Sequence, residues 1–142
     1  MEAQQLHRGR LIDHIQLVVR DLPASRRFYE AVFAALDIPI GGTADDHLWA
    51  DELFISSADS SAALGVLTGR HHLAFQARDR AMVEAFYQAG LAHGGRDNGG
   101  PGLRDYHPGY YAAFLLDPDG NNIEADFHGP AERSADSVVL RF

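Results

Sequence analysis

Two histidines stand at equivalent places in a repeated sequence, and they are the first candidates for chemistry. When the stretch HIQLVVRDLPASRRFYEA is moved along the chain by 58 positions, His14 aligns with His72, and six of the eighteen positions from 14 to 31 are identical. Unrelated segments would agree at about one position, given average residue usage. The chain therefore carries a duplicated module, and each copy opens on a histidine.

A divalent metal ion is the chemistry that fits this pair. Two modules related by pseudo-symmetry bring equivalent positions toward a common axis, so imidazoles that are far apart in sequence can share an ion. We predict Glu124 as the third ligand, because it alternates with apolar neighbours in the strand NNIEADF and so faces the opposite side from both. Two imidazoles and one carboxylate with open positions suit Fe(II), Mn(II), Ni(II), Co(II) or Zn(II). His71 competes with His72 as a ligand, but the alignment with His14 favours His72.

The remaining histidines have no counterpart in the repeat. His107 lies in the stretch NGGPGLRDYHPG (98–109), whose glycines and prolines predict a long irregular loop without a strand. Such a loop could place His107 over a site as an acid or a base. For the others we predict surface or loop positions: His7, His47, His93 and His128.

The elements that must position these residues read as β-α-β-β-β in each copy. Short apolar and β-branched runs after the histidines predict strands, and Asp21 and Asp79 predict the N-caps of the helices that follow. We expect helices over about 22–36 and 80–90, the second ending at Gly90. Two such modules in one chain make an α+β fold.

The second copy also predicts a hairpin. The runs 110–116 and 121–127 are strand candidates, and the sequence DPDG (117–120) between them predicts a tight turn. We expect the end of the chain, polar and then apolar, to be disordered or to dock on a partner subunit. The predicted organisation is a first βαβββ module at 11–58, a linker at 59–70, a second module at 71–128 and a tail at 129–142.

Composition excludes several classes of function. Twenty acidic and twelve basic residues give the chain a formal net charge of −8, and an acidic surface repels phosphate backbones, so we expect no nucleic-acid partner. No run approaches the roughly 18 apolar residues of a membrane helix. Without a secretory signal or a cysteine, we expect a cytoplasmic protein. The lack of lysine and cysteine excludes a Schiff base and a thiolate nucleophile.

The openings DHIQLVVRDLPASRRFYE and HHLAFQARD and the ending FLLDPDGNNIEA resemble the vicinal oxygen chelate superfamily over about residues 11–128. That superfamily contains glyoxalase I, the extradiol dioxygenases, the fosfomycin-modifying thiol transferases and the bleomycin-binding proteins. The resemblance implies a cupped mixed β-sheet with helices outside, a divalent metal and a homodimer, with modules sometimes exchanged between chains. Its ligand positions fall on His14, His72 and Glu124. A fourth lies near Ile55, where no carboxylate stands, and this argues against glyoxalase I.

The chain departs from two other branches as well. Extradiol dioxygenases carry a tyrosine ten residues before the glutamate, where this chain has Phe114, although Tyr110 lies on the same strand face. Fosfomycin enzymes carry a threonine two residues after the first histidine, where this chain has Gln16, and a lysine-rich anion site. The resemblance therefore does not fix a reaction.

Two functions follow from these observations. The first is a metal-dependent enzyme, a lyase, isomerase or extradiol-type dioxygenase, whose small substrate chelates the ion through adjacent oxygens. The second is a non-catalytic drug- or metabolite-binding protein of the bleomycin-resistance type, and the complete set of ligand-type residues favours the enzyme. The predicted catalytic residues are Glu124, Tyr110 and His107, and the predicted substrate contacts are Tyr111, Arg104, Trp49, Phe54 and Phe114, with core packing as the alternative for Trp49 and Phe54.

Overall fold

The computed structural model describes residues 5–9, 12–60, 67–132 and 138–141. Among these, no helix is long and apolar enough to cross a membrane. In chain order the elements are β1 (Gln5–Arg8), β2 (Ile15–Val19), α1 (Leu22–Ala35), β3 (Gly42–Thr43), β4 (His47–Ala50), β5 (Leu53–Ser57), β6 (His72–Gln76), α2 (Arg80–Ala92), β7 (Arg96–Asp97), β8 (Gly102–Leu103), β9 (Tyr111–Leu116), β10 (Asn122–Phe127) and β11 (Val138–Arg141). Within the described residues, two helices and three sheets, two of them mixed, confirm the predicted α+β class.

The chain divides into two compact units that only partly follow the sequence modules. The first unit contains Met1–Leu22, Ile38–Thr68 and Glu132–Phe142, and the second contains Pro23–Asp37 and Gly69–Ala131. The first helix therefore belongs with the second module's sheet. The predicted linker lies partly outside the described residues, which omit 61–66.

The first unit is built on a four-stranded sheet in the order β2-β5-β4-β3. Strand β2 runs parallel to β5, and β4 runs antiparallel to it. One face is a dry core of Leu17, Val19, Leu48 and Ile55, each at most 1 % exposed. The unit also holds a separate antiparallel pair, β1 with β11, so residues 138–141 of the predicted tail join a sheet rather than being disordered as one alternative predicted. Residues 133–137 and 142 of that tail lie outside the described residues.

The second unit is built on a sheet in the order β6-β10-β9-β7, with β8 also paired to β9. Strand β10 is interior, because it is parallel to β6 on one side and antiparallel to β9 on the other. The prediction that 98–109 contains no strand is wrong, since Gly102 and Leu103 pair with Ala112 and Tyr111. A two-residue edge strand needs only its backbone, so the local sequence gives little sign of it.

Aromatic side chains of α1 fill the core of the second unit. Phe28, Tyr29 and Phe33 are at most 1 % exposed, and Phe33 meets Phe75 of β6 with ring centroids 5.3 Å apart. Edge-to-face rings of this kind add to the energy of burial itself. These aromatic side chains therefore anchor α1 on the second unit.

For helix α2, the predicted N-terminal end is confirmed and the predicted C-terminal end is wrong. Asp79 is the N-cap, and its side chain accepts a hydrogen bond from the Met82 amide at 2.8 Å. The predicted end at Gly90 is wrong, because the helix continues to Ala92. Gly90 instead provides close packing, since a Cβ there would lie 2.1 Å from Leu115 Cδ1. The N-cap role of Asp21 stays a prediction.

The predicted turn between β9 and β10 forms around a buried carboxylate. Asp117 is 1 % exposed, and Gly120 adopts φ +85°, a conformation that favours glycine. The Asp117 carboxylate accepts hydrogen bonds from the Asn121 amide and side chain, both at 2.8 Å, and from the Tyr29 hydroxyl at 2.6 Å. Burial, followed by the charge of Asp117, raises the pKa of Tyr29 well above its ordinary value. The neutral phenol therefore ties α1 to the turn.

We expect the substitution Tyr29→Phe to lower the free energy of unfolding by about 1.5–3 kcal/mol, because it leaves a buried carboxylate short of a donor. Urea denaturation measures the change. The matched control is Tyr87→Phe, which removes a hydroxyl that donates to Asp97 at 2.9 Å on the exposed surface and should cost much less. Equal losses in the two variants would contradict a special role for the buried bond.

Candidate functional site

Strand β10 presents two carboxylates on one face of the second sheet. Glu124 and Asp126 alternate with Ile123 and Ala125, and they are only 2 % and 7 % exposed. A buried carboxylate is costly unless it is paired and hydrogen-bonded. The side chains that meet these two come from β6, from the loop before β9 and from the end of β10.

The first partner is His72 of β6, one of the two histidines that the repeat singled out. Its Nε2 lies 3.1 Å from Glu124 Oε1, and its Nδ1 lies 3.0 Å from the carbonyl oxygen of Asn122. A carbonyl only accepts, so Nδ1 carries the ring proton. The Nε2 of a neutral ring then turns a lone pair toward the carboxylate, and two acceptors this close repel unless a cation compensates them. A proton on the ring or on the carboxyl group, or a metal ion, meets that requirement.

These atoms fit a metal ion. Two donors bound to one ion at about 2.0–2.2 Å lie about 3–3.5 Å apart, which matches the separation of His72 Nε2 and Glu124 Oε1. Metal-binding histidines usually donate their other ring N–H to a carbonyl or a carboxylate, as His72 does to Asn122. The second unit therefore supplies two side chains that are suited to be ligands of the predicted ion.

Tyr110, a predicted catalytic residue, holds the other oxygen of Glu124. Its hydroxyl donates to Glu124 Oε2 in a short hydrogen bond and lies 3.0 Å from Asp126 Oδ2. Burial, together with these hydrogen bonds and charges, raises the pKa of Tyr110 well above its ordinary value. Tyr110 therefore remains a neutral donor between two carboxylates.

His107 and His128 complete this group on the second unit. His107 Nε2 lies 2.9 Å from His128 Nδ1, and His128 Nε2 lies 3.5 Å from Asp126 Oδ1. Sequence reasoning selected His107, placed His128 at the surface and missed Asp126. The signal was available, because residues 124 and 126 share one side of the strand and position 128, directly after its end, continues the same alternation. We name the six residues the β10 cluster: His72, His107, Tyr110, Glu124, Asp126 and His128.

In the first unit the equivalent position lacks a carboxylate. Gln16 pairs with Phe54 as Ala74 pairs with Glu124, and Gln16 and Ala74 are 58 positions apart. The equivalent of Glu124 is therefore Phe54, the neighbour of Ile55, near which the sequence placed this position without a carboxylate. Ile55 itself is buried on the opposite face. The His14 ring lies edge-on to Phe54, with centroids 5.5 Å apart.

His14 repeats the hydrogen-bond pattern of His72. Its Nδ1 donates to Asp13 Oδ1 at 2.7 Å, and this bond is the largest of the causes that lower the pKa of Asp13. Nε2 is then the nitrogen left for another partner. Among the described residues, no three histidine, aspartate or glutamate side chains form a group that could hold a metal. The triad with His72 and Glu124 stays a prediction.

The predicted substrate contacts fall on different surfaces of the two units. Trp49 and Phe54 stack in the first unit with centroids 5.5 Å apart, and the guanidinium of Arg8 lies 5.9 Å and 5.7 Å from the two rings. In the second unit, Arg104 lies 5.3 Å from the ring of Phe114, which shares the face of Glu124.

Tyr111 lies on the opposite face of that sheet. Its hydroxyl donates to Glu84 of α2 at 2.8 Å, and Arg80 lies 4.8 Å from its ring. Alternation along β9 explains the separation, because adjacent residues of a strand point to opposite sides. Tyr111 therefore contributes to helix packing rather than to the β10 cluster.

Comparisons with known proteins agree with this architecture. Residues 11–125 match the model of the Glyoxalase/Bleomycin resistance protein/Dioxygenase superfamily. A glyoxalase/bleomycin resistance protein from Albidiferax ferrireducens is 30% identical, with a TM-score of 0.68 over 82% of this chain and 97% of that chain. A search of curated proteins finds no match.

Two less similar structures share the fold. Lactoylglutathione lyase from Agrobacterium tumefaciens is 20% identical, with a TM-score of 0.57 over 80% of this chain and 90% of that chain. A fosfomycin resistance protein from Mesorhizobium loti is 19% identical, with a TM-score of 0.56 over 81% of this chain and 89% of that chain.

The raised pKa of Tyr110 predicts a loss of stability in alkali. As the pH rises past about 10, the unfolded chain loses this phenol proton before the folded protein does, so the free energy of unfolding falls. Urea denaturation at several alkaline pH values should show a shallower fall for Tyr110→Phe than for the wild type. The control Tyr106→Phe, at an exposed ring of the same loop, should keep the wild-type slope. Identical slopes for all three proteins would refute the assignment.

Proposed function

The chain belongs to the glyoxalase/bleomycin resistance protein/dioxygenase superfamily, and we propose that it is a metal-dependent enzyme acting on a small substrate that chelates a divalent ion through adjacent oxygens. The observation that carries this proposal is the approach of His72 Nε2 to Glu124 Oε1 at 3.1 Å. Both atoms are acceptors when the ring is neutral, and each group is held from behind by a further hydrogen bond. A pair arranged in this way is suited to a cation.

The proposed ligands are His14, His72 and Glu124, for an ion of the Fe, Mn, Ni, Co or Zn class. Such an ion, when bound, would act as a Lewis acid toward the oxygens of the substrate. Three protein ligands leave open positions for those oxygens. With Phe54 in the place equivalent to Glu124, the first unit supplies only one ligand in this proposal.

The other residues of the β10 cluster would act on the substrate directly or orient the groups that do. Tyr110 donates its one O–H to a carboxylate oxygen of Glu124, so in this proposal it orients that group for its work on the ion and the substrate. His107 lies beside Tyr110, with ring centroids 5.3 Å apart, and carries the proposed acid or base function together with its neighbour His128.

The apolar and cationic contacts would position the substrate. Phe114 and Arg104 lie on the face of Glu124, and Trp49 and Phe54 form the stacked aromatic pair of the first unit. A lyase or isomerase reaction and an extradiol-type dioxygenase reaction are both compatible with these side chains. We also propose a homodimer, as the family resemblance implies.

Metal binding decides between the enzyme and the non-catalytic binding protein. We expect tag-free protein to take up about one divalent ion per chain and Glu124→Gln and His72→Gln to bind it at least about tenfold more weakly, since each removes a ligand. Titration calorimetry with Fe(II), Mn(II), Ni(II), Co(II) and Zn(II) measures the affinities, and elemental analysis measures the content.

His93→Gln is the matched control, because the His93 Nδ1 also contacts a carbonyl oxygen, that of Ala89 at 2.8 Å, but the ring lies outside the β10 cluster. It should bind the ion as the wild type does. If the wild type takes up none of the five ions, the drug- or metabolite-binding function replaces the enzyme. If all three variants bind equally, the ion lies elsewhere.

A further inference from the structure

His107 and His128 meet along the axis that joins their rings. The ring centroids are 5.2 Å apart, and the nearest nitrogens are 2.9 Å apart. Each nitrogen lies one ring radius from its centroid, so these two distances place both nitrogens close to the line between the centroids. A shared metal ion would need the two lone pairs to converge at an angle. The geometry is that of an N–H···N hydrogen bond.

The surrounding acceptors decide which nitrogen donates. His107 Nδ1 lies 2.9 Å from the Pro108 carbonyl oxygen, which only accepts, so this nitrogen carries the His107 proton. In a neutral ring, His107 Nε2 is then the acceptor, and His128 must donate from Nδ1. The remaining nitrogen, His128 Nε2, carries no proton and faces Asp126 Oδ1 at 3.5 Å, too far for a good hydrogen bond.

The backbone holds this arrangement in place. Gly109 ends the loop that carries His107, and Gly129 follows His128; both adopt φ +85°. A Cβ on Gly129 would lie 3.3 Å from the Gly109 carbonyl oxygen, so the two segments pack backbone against backbone. This close approach sets the two imidazoles at their hydrogen-bonding distance.

We propose that His128, through Nε2, is the residue that exchanges protons with a substrate at the β10 cluster, and that His107 is a positioning residue that fixes the tautomer of His128. This inference rests on the proposed function and reassigns its acid or base group. Both nitrogens of His107 are occupied, whereas His128 Nε2 is open and half of the His128 side chain is exposed.

The proton transfer itself is balanced within the site. The bond from a substrate atom to hydrogen breaks, its electron pair stays on the substrate, and the proton forms the N–H bond at His128 Nε2. The resulting imidazolium faces the Asp126 carboxylate, which stabilises the charge, and the proton later returns to the product. Within the described part of the chain, the titratable groups that face His128 are His107 and Tyr110 from the loop and Asp126 from β10.

Carbethoxylation with diethyl pyrocarbonate tests this assignment on metal-free full-length protein, because the reagent needs an open imidazole lone pair. Mass spectrometry of the peptides should find His128 labelled and His107 labelled about tenfold more slowly than His93, whose Nδ1 also faces a carbonyl oxygen. In His128→Ala, His107 should react at the rate of His93. Labelling of His107 at that rate in the wild type, or protection of His128, would overturn the proposal.

Nitrogen-15 NMR tests the positioning role of His107, because it reports which nitrogen of His128 carries the proton. That tautomer would not change if His107 had only a structural role. We expect His128 as the Nδ1–H tautomer in the wild type, with a through-hydrogen-bond coupling from its Nδ1 to Nε2 of His107. His107→Ala should abolish this tautomer preference, and His107→Gln, whose amide oxygen can accept from Nδ1, should restore it. An Nε2–H tautomer in the wild type refutes the inference. Neither experiment uses metal, so its result does not depend on whether the protein binds a metal ion. Failure of this inference can therefore be distinguished from failure of the proposed function.

Discussion

The buried carboxylate of Asp117 is the constraint on which the second unit depends. With almost no exposed surface, it must receive its hydrogen bonds from protein, and the donors come from the turn that it begins and from Tyr29 of α1. The turn sets the antiparallel register of β9 and β10, and Asn121 Oδ1 extends the network by accepting from the amide of His71 at 2.8 Å. One side chain thus aligns three strands and anchors a helix.

The position of Glu124 follows from that register. A shift of β10 by one residue would turn its carboxylates toward the helices and its apolar residues toward solvent. In the native register, Glu124 and Asp126 face one side and meet His72, Tyr110 and His128. Each of His72 and His128 has one nitrogen committed to a hydrogen bond and directs the other at a carboxylate. The cluster therefore directs two imidazole nitrogens at carboxylates, an arrangement that positive charge would stabilise.

The two modules share the same strand pairing but carry different side chains at equivalent positions. The pairing of Gln16 with Phe54 and of Ala74 with Glu124 occurs in the same parallel register. A phenyl ring cannot bind a hard cation as a carboxylate does, so Phe54 gives the first unit an aromatic surface with Trp49 and Arg8. The backbone repeat explains where the side chains stand, and the residue types decide what each half can do.

The sequence by itself determined the α+β class, both helices, the DPDG turn and the meeting of His72 with Glu124. Periodicity and turn chemistry are local signals, and an internal repeat can be recognised by comparing the chain with itself. Tertiary structure alone decided that α1 packs in the second unit, that Gly90 lies inside a helix beneath Leu115, and that β11 pairs with β1. It also decided that Tyr111 turns away from Glu124 while His128 reaches His107. Each of these depends on which segments, distant in sequence, bury surface or exchange hydrogen bonds, and a residue's own neighbours in the chain do not encode that.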